Sequence, residues 1–255
     1  MAGAVPQRSR FDAGAWPTWS LDRELKISQS ASLGLLLVAA AAGQVDLASY
    51  LRLDGTQLDL RGVPVTDSDL AVLGQPRFSS VQEVLLARST ITNAGLVYLQ
   101  NLKIRQLDLF GTQISDGGLK FLRDLPLRVL VLSGTPITDD GLKELASLNL
   151  QTLVLSGALV TGRGLAELKG APIRILDLSR CNLRDSDLVP LRAFQKLETL
   201  DLSFTQISNN ALTDLKEITA LKDLYLFGTE ISGKPLEEFR SARPDVRVSI
   251  GLLTR

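Results

Sequence analysis

Histidine is absent from all 255 residues, and cysteine and methionine occur once each. Without histidine the chain lacks the commonest general base and the commonest metal ligand. Ser-His-Asp, Cys-His and histidine–zinc sites are therefore excluded within this chain. One cysteine cannot form an intrachain disulfide, so the redox compartment is not readable from cysteine pairing. Excess charge is missing as well: 28 basic residues balance 28 acidic ones. Phosphate backbones are bound by basic surfaces, so nucleic acid is not an expected partner. Nor does a G-x-x-x-x-G-K-[ST] phosphate loop occur.

Long apolar runs are scarce. Ala31–Gly43, ASLGLLLVAAAAG, is the one strongly apolar stretch, inside an uncharged span from Ile27 to Val45. A membrane-spanning helix needs roughly 20 apolar residues, whereas the apolar core of a signal peptide needs about 7–15. Three readings stand for this run: an export signal, a short membrane anchor through residues 31–43, or a helix capping the open core of a solenoid that begins near Leu51. The balance favours export or anchoring over a cytoplasmic chain. Residues 1–26 carry Pro6, Gly14, Pro17 and mixed charges, which reads as a flexible tail. Trp16 and Trp19, the only tryptophans, suit either a membrane interface or packing on the first coil.

What the sequence has in abundance is self-similarity. Ile104–Leu122 (IRQLDLFGTQISDGGLKFL), Leu127–Leu145 (LRVLVLSGTPITDDGLKEL) and Leu197–Leu215 (LETLDLSFTQISNNALTDL) share one frame. It reads L-x-x-L-x-L-x-x-(small)-x-(Ile/Val)-(Thr/Ser)-x-x-G-L-x-x-L. Its register marks fall at Leu58, Val84, Leu107, Leu130, Leu153, Leu176, Leu200 and Leu224, with spacings of 23–26 residues. A fixed period in this range is the signature of a solenoid. The expected domains are an amino-terminal segment, 1–50, and a repeat domain, 51–255, of about eight repeats plus a last strand over Arg243–Ile250.

Each L-x-L is a short strand whose two flanking apolar residues face one way and whose middle residue faces the other. Stacked coils pair such strands into a parallel sheet, and the G-L-x-x-L turn covers it. Leu119 and Leu122, like Leu142 and Leu145 and Leu165 and Leu168, sit three apart on one helical face. Ser115-Asp116 and Thr138-Asp139 precede these turns and are read as local helix caps. The small column holds Val63, Ser89, Thr112, Thr135, Ala158, Cys181, Thr205 and Thr229. Cys181 is thus expected to be buried and inert.

The frame resembles that of the leucine-rich repeat family, over about residues 51–250. The short unit with Ile-Thr/Ser-Asp before Gly-Leu-x-x-Leu is similar to the cysteine-containing, ribonuclease-inhibitor-like class and its bacterial relatives. The resemblance implies an α/β fold: a right-handed solenoid, or horseshoe, with a concave parallel β-sheet and short convex helices. It also implies a binding scaffold, with no enzyme activity, no cofactor and no metal site.

The concave face is the usual binding surface of such solenoids. Val129, Val131, Val154 and Ile175 are expected to form its apolar centre. Phe110 borders that centre on one side; Asp177, Asp201 and Asp223 border it on the other, with Phe204, Tyr225 and Phe227 close by. An apolar centre with aromatic and charged edges resembles a protein-binding patch. Asp177 and Asp201 occupy equivalent places on adjacent coils, about 5 Å apart at the backbone, close enough to share a proton or a cation. As a hydrolytic carboxylate pair they lack a cleft. The expected function is non-catalytic binding of a protein partner on this face. The alternative is a tethered or secreted structural component whose solenoid acts as a spacer.

Overall fold

Alternation in L-x-L fixes which side chains enter the core, and the computed structural model, which describes residues 45–251, builds every coil on that rule. The strands are β1 (Gln57–Asp59), β2 (Glu83–Leu85), β3 (Gln106–Asp108), β4 (Val129–Val131), β5 (Thr152–Val154), β6 (Ile175–Asp177), β7 (Thr199–Asp201), β8 (Asp223–Tyr225) and β9 (Arg247–Ser249). All pair in parallel, in sequence order from β1 to β9. The register marks read from the sequence are the residues that pair: Leu107 with Leu130, Leu130 with Leu153, Leu153 with Leu176. The result is a right-handed α/β horseshoe.

The core runs the length of the coil as stacked columns. Leu107, Leu130, Leu153, Leu176 and Leu200 are fully buried, as are Leu109, Leu132, Leu155, Leu178 and Leu202 on the other arm of L-x-L. Leu119, Leu142 and Leu165 close the column from the helical side. Each such side chain contributes roughly 1.5–3 kcal/mol on burial. No coil encloses its own leucines, so the gain is shared between neighbours.

The helical side is less regular than the frame suggests. True α-helix forms in α1 (Asp116–Leu119), α2 (Asp139–Leu145), α3 (Gly162–Glu167), α4 (Leu212–Lys216) and α5 (Gly233–Ala242). Other coils tighten into 3₁₀ turns, such as Gly95–Leu99 and Asp185–Ala193. Pro190 lies inside the latter and has no amide to donate to an α-helical ladder. The carboxy-terminal strand is also shorter than Arg243–Ile250. Arg243 ends α5, and only Arg247–Ser249 pairs with β8.

Local capping explains only part of the Thr/Ser-Asp step. Thr138 Oγ1 and Thr161 Oγ1 do accept amides two residues on, at 3.3 Å. The following carboxylates instead reach across to the next coil. Asp116 accepts both the amide and the hydroxyl of Thr138, at 2.9 and 2.6 Å. Asp139 does the same for Thr161, Asp67 for Thr92 and Asp185 for Ser208. This ladder accounts for the glycine of G-L-x-x-L. A Cβ on Gly95, Gly118, Gly141 or Gly164 would fall less than 3.0 Å from the Asp or Asn side chain of the preceding coil.

The small column also bonds inward. Ser89, Thr112, Thr135 and Thr205 donate their hydroxyls to the carbonyl three residues back, at 2.5–2.8 Å. Cys181 instead donates to Leu155 O of the preceding coil, 3.2 Å away. Burial is the main cause that pushes its thiol up to about 12, so it carries no thiolate near neutral pH.

Ala31–Gly43, Trp16 and Trp19 lie outside the described residues. Among the described residues no helix is long and apolar enough to cross a membrane.

Candidate functional site

The sheet face is built from the first and last residues of each strand, which flank the buried register mark. Parallel register aligns Val131, Val154, Asp177, Asp201 and Tyr225 in one row and Val129, Thr152 and Ile175 in another. The structure buries much of this surface. Val131 and Val154 are only 4% and 3% exposed, and Asp177 6%. Val129, Ile175, Asp201, Tyr225, Phe110 and Phe227 are half-buried, and Phe204 is 51% exposed. Val131 and Val154 thus lie on the expected face, but the apolar centre offers solvent chiefly Val129 and Ile175.

The aspartates have a local reason to be where they are. Asp108, Asp177 and Asp201 each accept the backbone amide two residues on, Phe110, Ser179 and Ser203, at 2.8–3.0 Å. They stiffen the turn that leaves each strand. Asp177 and Asp201 are also in-register neighbours. Burial raises the pKa of both. For Asp201, repulsion from Asp177 adds to burial and the value reaches about 7. Arg180 opposes the shift at Asp177. Among the described residues no cluster of three or more His, Cys, Asp or Glu is arranged to hold a metal ion.

At the exit of the strands the chain turns through left-handed backbone. Gly62, Gly111, Gly134, Gly157 and Gly228 take that position at φ 63–71°, where a residue without Cβ pays least. Three coils place side chains there instead: Arg88 at φ 61°, Arg180 at 60° and Phe204 at 59°. Such conformations cost on the order of 1 kcal/mol and concentrate at functional sites. Arg88 stacks over Phe110, its guanidinium carbon 5.2 Å from the ring centroid, and Arg180 over Phe204 at 4.9 Å. The Phe204 ring in turn lies over Gly228, where a Cβ would meet it at 2.6 Å. Tyr225 and Phe227 stack with centroids 6.5 Å apart, and Phe204 N donates to Phe227 O at 2.6 Å. Phe204, Tyr225 and Phe227 therefore line the exits of two adjacent strands as an aromatic rim, with ring contact between Tyr225 and Phe227. Phe110 stands apart from it, in a separate Arg–Phe stack on β3's exit turn.

The family model of the Leucine Rich repeat matches residues 100–122, 125–146 and 195–215. Those three stretches are leucine-rich repeats. The chain's fold is shared with an internalin of Listeria monocytogenes, 20% identical, with a TM-score of 0.55 over 75% of this chain and 52% of that one. A leucine-rich repeat protein of Leptospira interrogans is 21% identical, with a TM-score of 0.53 over 76% of this chain and 54% of that one. The chain thus spans about half the length of those two proteins. Internalin C2 of Listeria monocytogenes is 25% identical, covers 73% of this chain and 84% of its own, and has a TM-score of 0.48. No curated protein matches the sequence. Leucine-rich repeats are in general scaffolds for protein–protein interaction.

Sequence reasoning passed over the left-handed turns at Arg88 and Arg180. Their signal was present as departures from the glycine column at Gly62, Gly111, Gly134, Gly157 and Gly228. It also passed over a polar clamp at the first coils, where Glu83 accepts from Gln57 at 2.7 Å and from Gln106 at 2.6 Å, stitching β1, β2 and β3 together.

Proposed function

We propose that this leucine-rich repeat protein is a non-catalytic scaffold that holds a protein partner on its concave face, anchored on the aromatic rim Phe204, Tyr225 and Phe227. Phe110, Val129, Ile175 and Asp201 complete the contact surface, and Val131, Val154 and Asp177 support it from beneath. The observation that carries this reading is Phe204: a half-exposed ring held in a left-handed turn where most sister coils keep glycine. An unfunctional solenoid gains nothing from that strain, whereas exposed, rigidly placed aromatics are the anchors of protein interfaces.

Crosslinking capture from native cells tests it, comparing the wild type with Phe204→Ala plus Phe227→Ala. A specific partner lost from the double variant, with circular dichroism unchanged, is the expected result. An identical partner set would overturn the reading. Val131→Glu and Val154→Glu serve less well, because at 4% and 3% exposure they place charge in buried sites and perturb folding with binding.

A further inference from the structure

Two residues before each register mark lies a row at the other edge of the sheet, where the strands begin: Thr56, Gln82, Arg105, Arg128, Gln151, Arg174, Glu198 and Lys222. Backbone bonds link consecutive members: Arg128 N to Arg105 O, Gln151 N to Arg128 O, Arg174 N to Gln151 O, each 2.8 Å. The row therefore advances one coil at a time, with the backbones of consecutive members held side by side.

One half of this row carries its own counter-charge. Glu198 receives Arg174 through Nε at 2.9 Å and through the guanidinium terminus at 2.6 Å, and Lys222 Nζ at 3.1 Å from the other side. Both cations hold the Glu198 carboxyl below its ordinary range. The other half has the cations without the acid. Arg105 and Arg128 are exposed neighbours just before β3 and β4, flanked by the uncharged Gln82 and Gln151. Among the described residues neither joins an ion pair, whereas Arg123, Arg163, Arg174 and Arg192 each do. Two like charges on adjacent coils, with no counter-charge in their own row, repel one another unless an anion comes between them. Next along the chain from Arg128 comes the half-buried Val129 of the sheet face, and two coils on its row reaches the half-buried Ile175.

We propose that Arg105 and Arg128 form a carboxylate clamp for an acidic, partly apolar protein segment. The partner's carboxylate takes the bridging role that Glu198 plays between Arg174 and Lys222, and its apolar side chains rest on Val129 and Ile175. Guanidinium forks match a carboxylate in two-point contact. A nucleic acid is the poorer fit, because phosphate backbones are bound by extended basic surfaces and the whole chain carries no net positive charge. This inference deepens the protein-binding reading above and rests on it for the class of partner.

The test uses the full chain and a fluorescein-labelled peptide of alternating glutamate and valine, read by fluorescence anisotropy at low salt. The expected result is binding that falls at least tenfold in Arg105→Gln plus Arg128→Gln and is unchanged in Arg163→Gln, an exposed arginine on α3. Circular dichroism checks that the variants fold. A lysine–valine peptide should not bind. Equal affinity in the double-glutamine variant, or no binding by the wild type, overturns the clamp, as does tighter binding of a single-stranded oligonucleotide than of the acidic peptide. Capture with Phe204→Ala plus Phe227→Ala reads the aromatic rim separately. A clamp that fails beside a rim that still loses its partner leaves the concave-face reading standing.

Discussion

Gly162 and Asp187 exchange roles across the joint between the β5 and β6 coils. Asp187 Oδ1 accepts the Gly162 amide at 3.0 Å, and its Oδ2 accepts the Arg184 amide at 2.9 Å. In coils on either side an aspartate such as Asp139 or Asp185 reaches forward to the next coil. Gly162 has no side chain to send, so the carboxylate comes back from the glycine column of the following coil. Asp69 repeats the arrangement at the first coils, bonding Val45 N at 3.1 Å and Thr66 N at 2.8 Å.

The exchange predicts a compensating pair. Gly162→Asp alone puts a Cβ 2.7 Å from the Asp187 Cα and should cost about 2 kcal/mol by overpacking. Asp187→Gly alone strips two amides of their acceptor and should cost about 1–2 kcal/mol. Together they recreate the forward ladder of the other coils. Urea denaturation of the four proteins should show a favourable coupling of at least about 1 kcal/mol; strict additivity would contradict the shared slot.

Arg243 closes the carboxy-terminal end. Its guanidinium donates to the carbonyls of Lys216, Ile218 and Leu221 at 3.0–3.1 Å and pairs with Asp245 at 2.9 Å. Those carbonyls lie where the preceding coil leaves α4, and Ile218 O also accepts the Leu221 amide. Arg243→Ala should lower stability by about 3 kcal/mol, given typical values for bonds to charged groups. Arg243→Lys should recover little, because an ammonium lacks the planar fork. Thermal unfolding distinguishes these outcomes from a passive surface arginine, whose loss changes little.

Asp201 sets a pH dependence. Its pKa is raised in the folded chain, mainly by burial and then by Asp177, to about 7 from an ordinary 3.8. The folded state therefore holds this proton more tightly than the unfolded state does. The contribution is fully present below about pH 4 and is lost as pH rises toward 7. Asp201→Asn keeps an oxygen for the Ser203 amide and removes the charge. At pH 8 it should stabilise the protein by on the order of 1 kcal/mol, and the gain should vanish near pH 4. Melting curves across that range test it; a pH-independent difference would contradict the assignment.

Gly228 and Gly157 occupy the same left-handed turn, at φ 64° and 71°, but only Gly228 lies under a ring. Gly157→Ala should cost about 1 kcal/mol from backbone strain alone. Gly228→Ala should cost more, since its Cβ also displaces Phe204, and it should weaken partner capture where Gly157→Ala does not.

The parts of this molecule that repeat were legible in the sequence. Periodicity placed Leu107, Leu130 and Leu153 in register and assigned Cys181 to the interior, because burial alternates with position along the strand. What escaped were interactions with partners one coil away. Asp116 reads locally as a helix cap, yet its main acceptor role is toward Thr138, 22 residues on. Arg243 reads as the start of a strand and proves to be a cap for carbonyls up to 27 residues back. On the candidate face, alternation placed Val131 and Val154 on the correct side but carries no information on how closely neighbours cover them. Arg180 and Phe204 needed the glycine column to be read for its exceptions.

A silent thiol has a practical use. Cys181 is the only cysteine in the chain and is buried and protonated near neutral pH. A cysteine introduced at any exposed position is then the sole group to take up a maleimide under native conditions. Dyes or spin labels can be set on chosen coils without first removing a native residue, and distances along the horseshoe measured in the intact wild-type background.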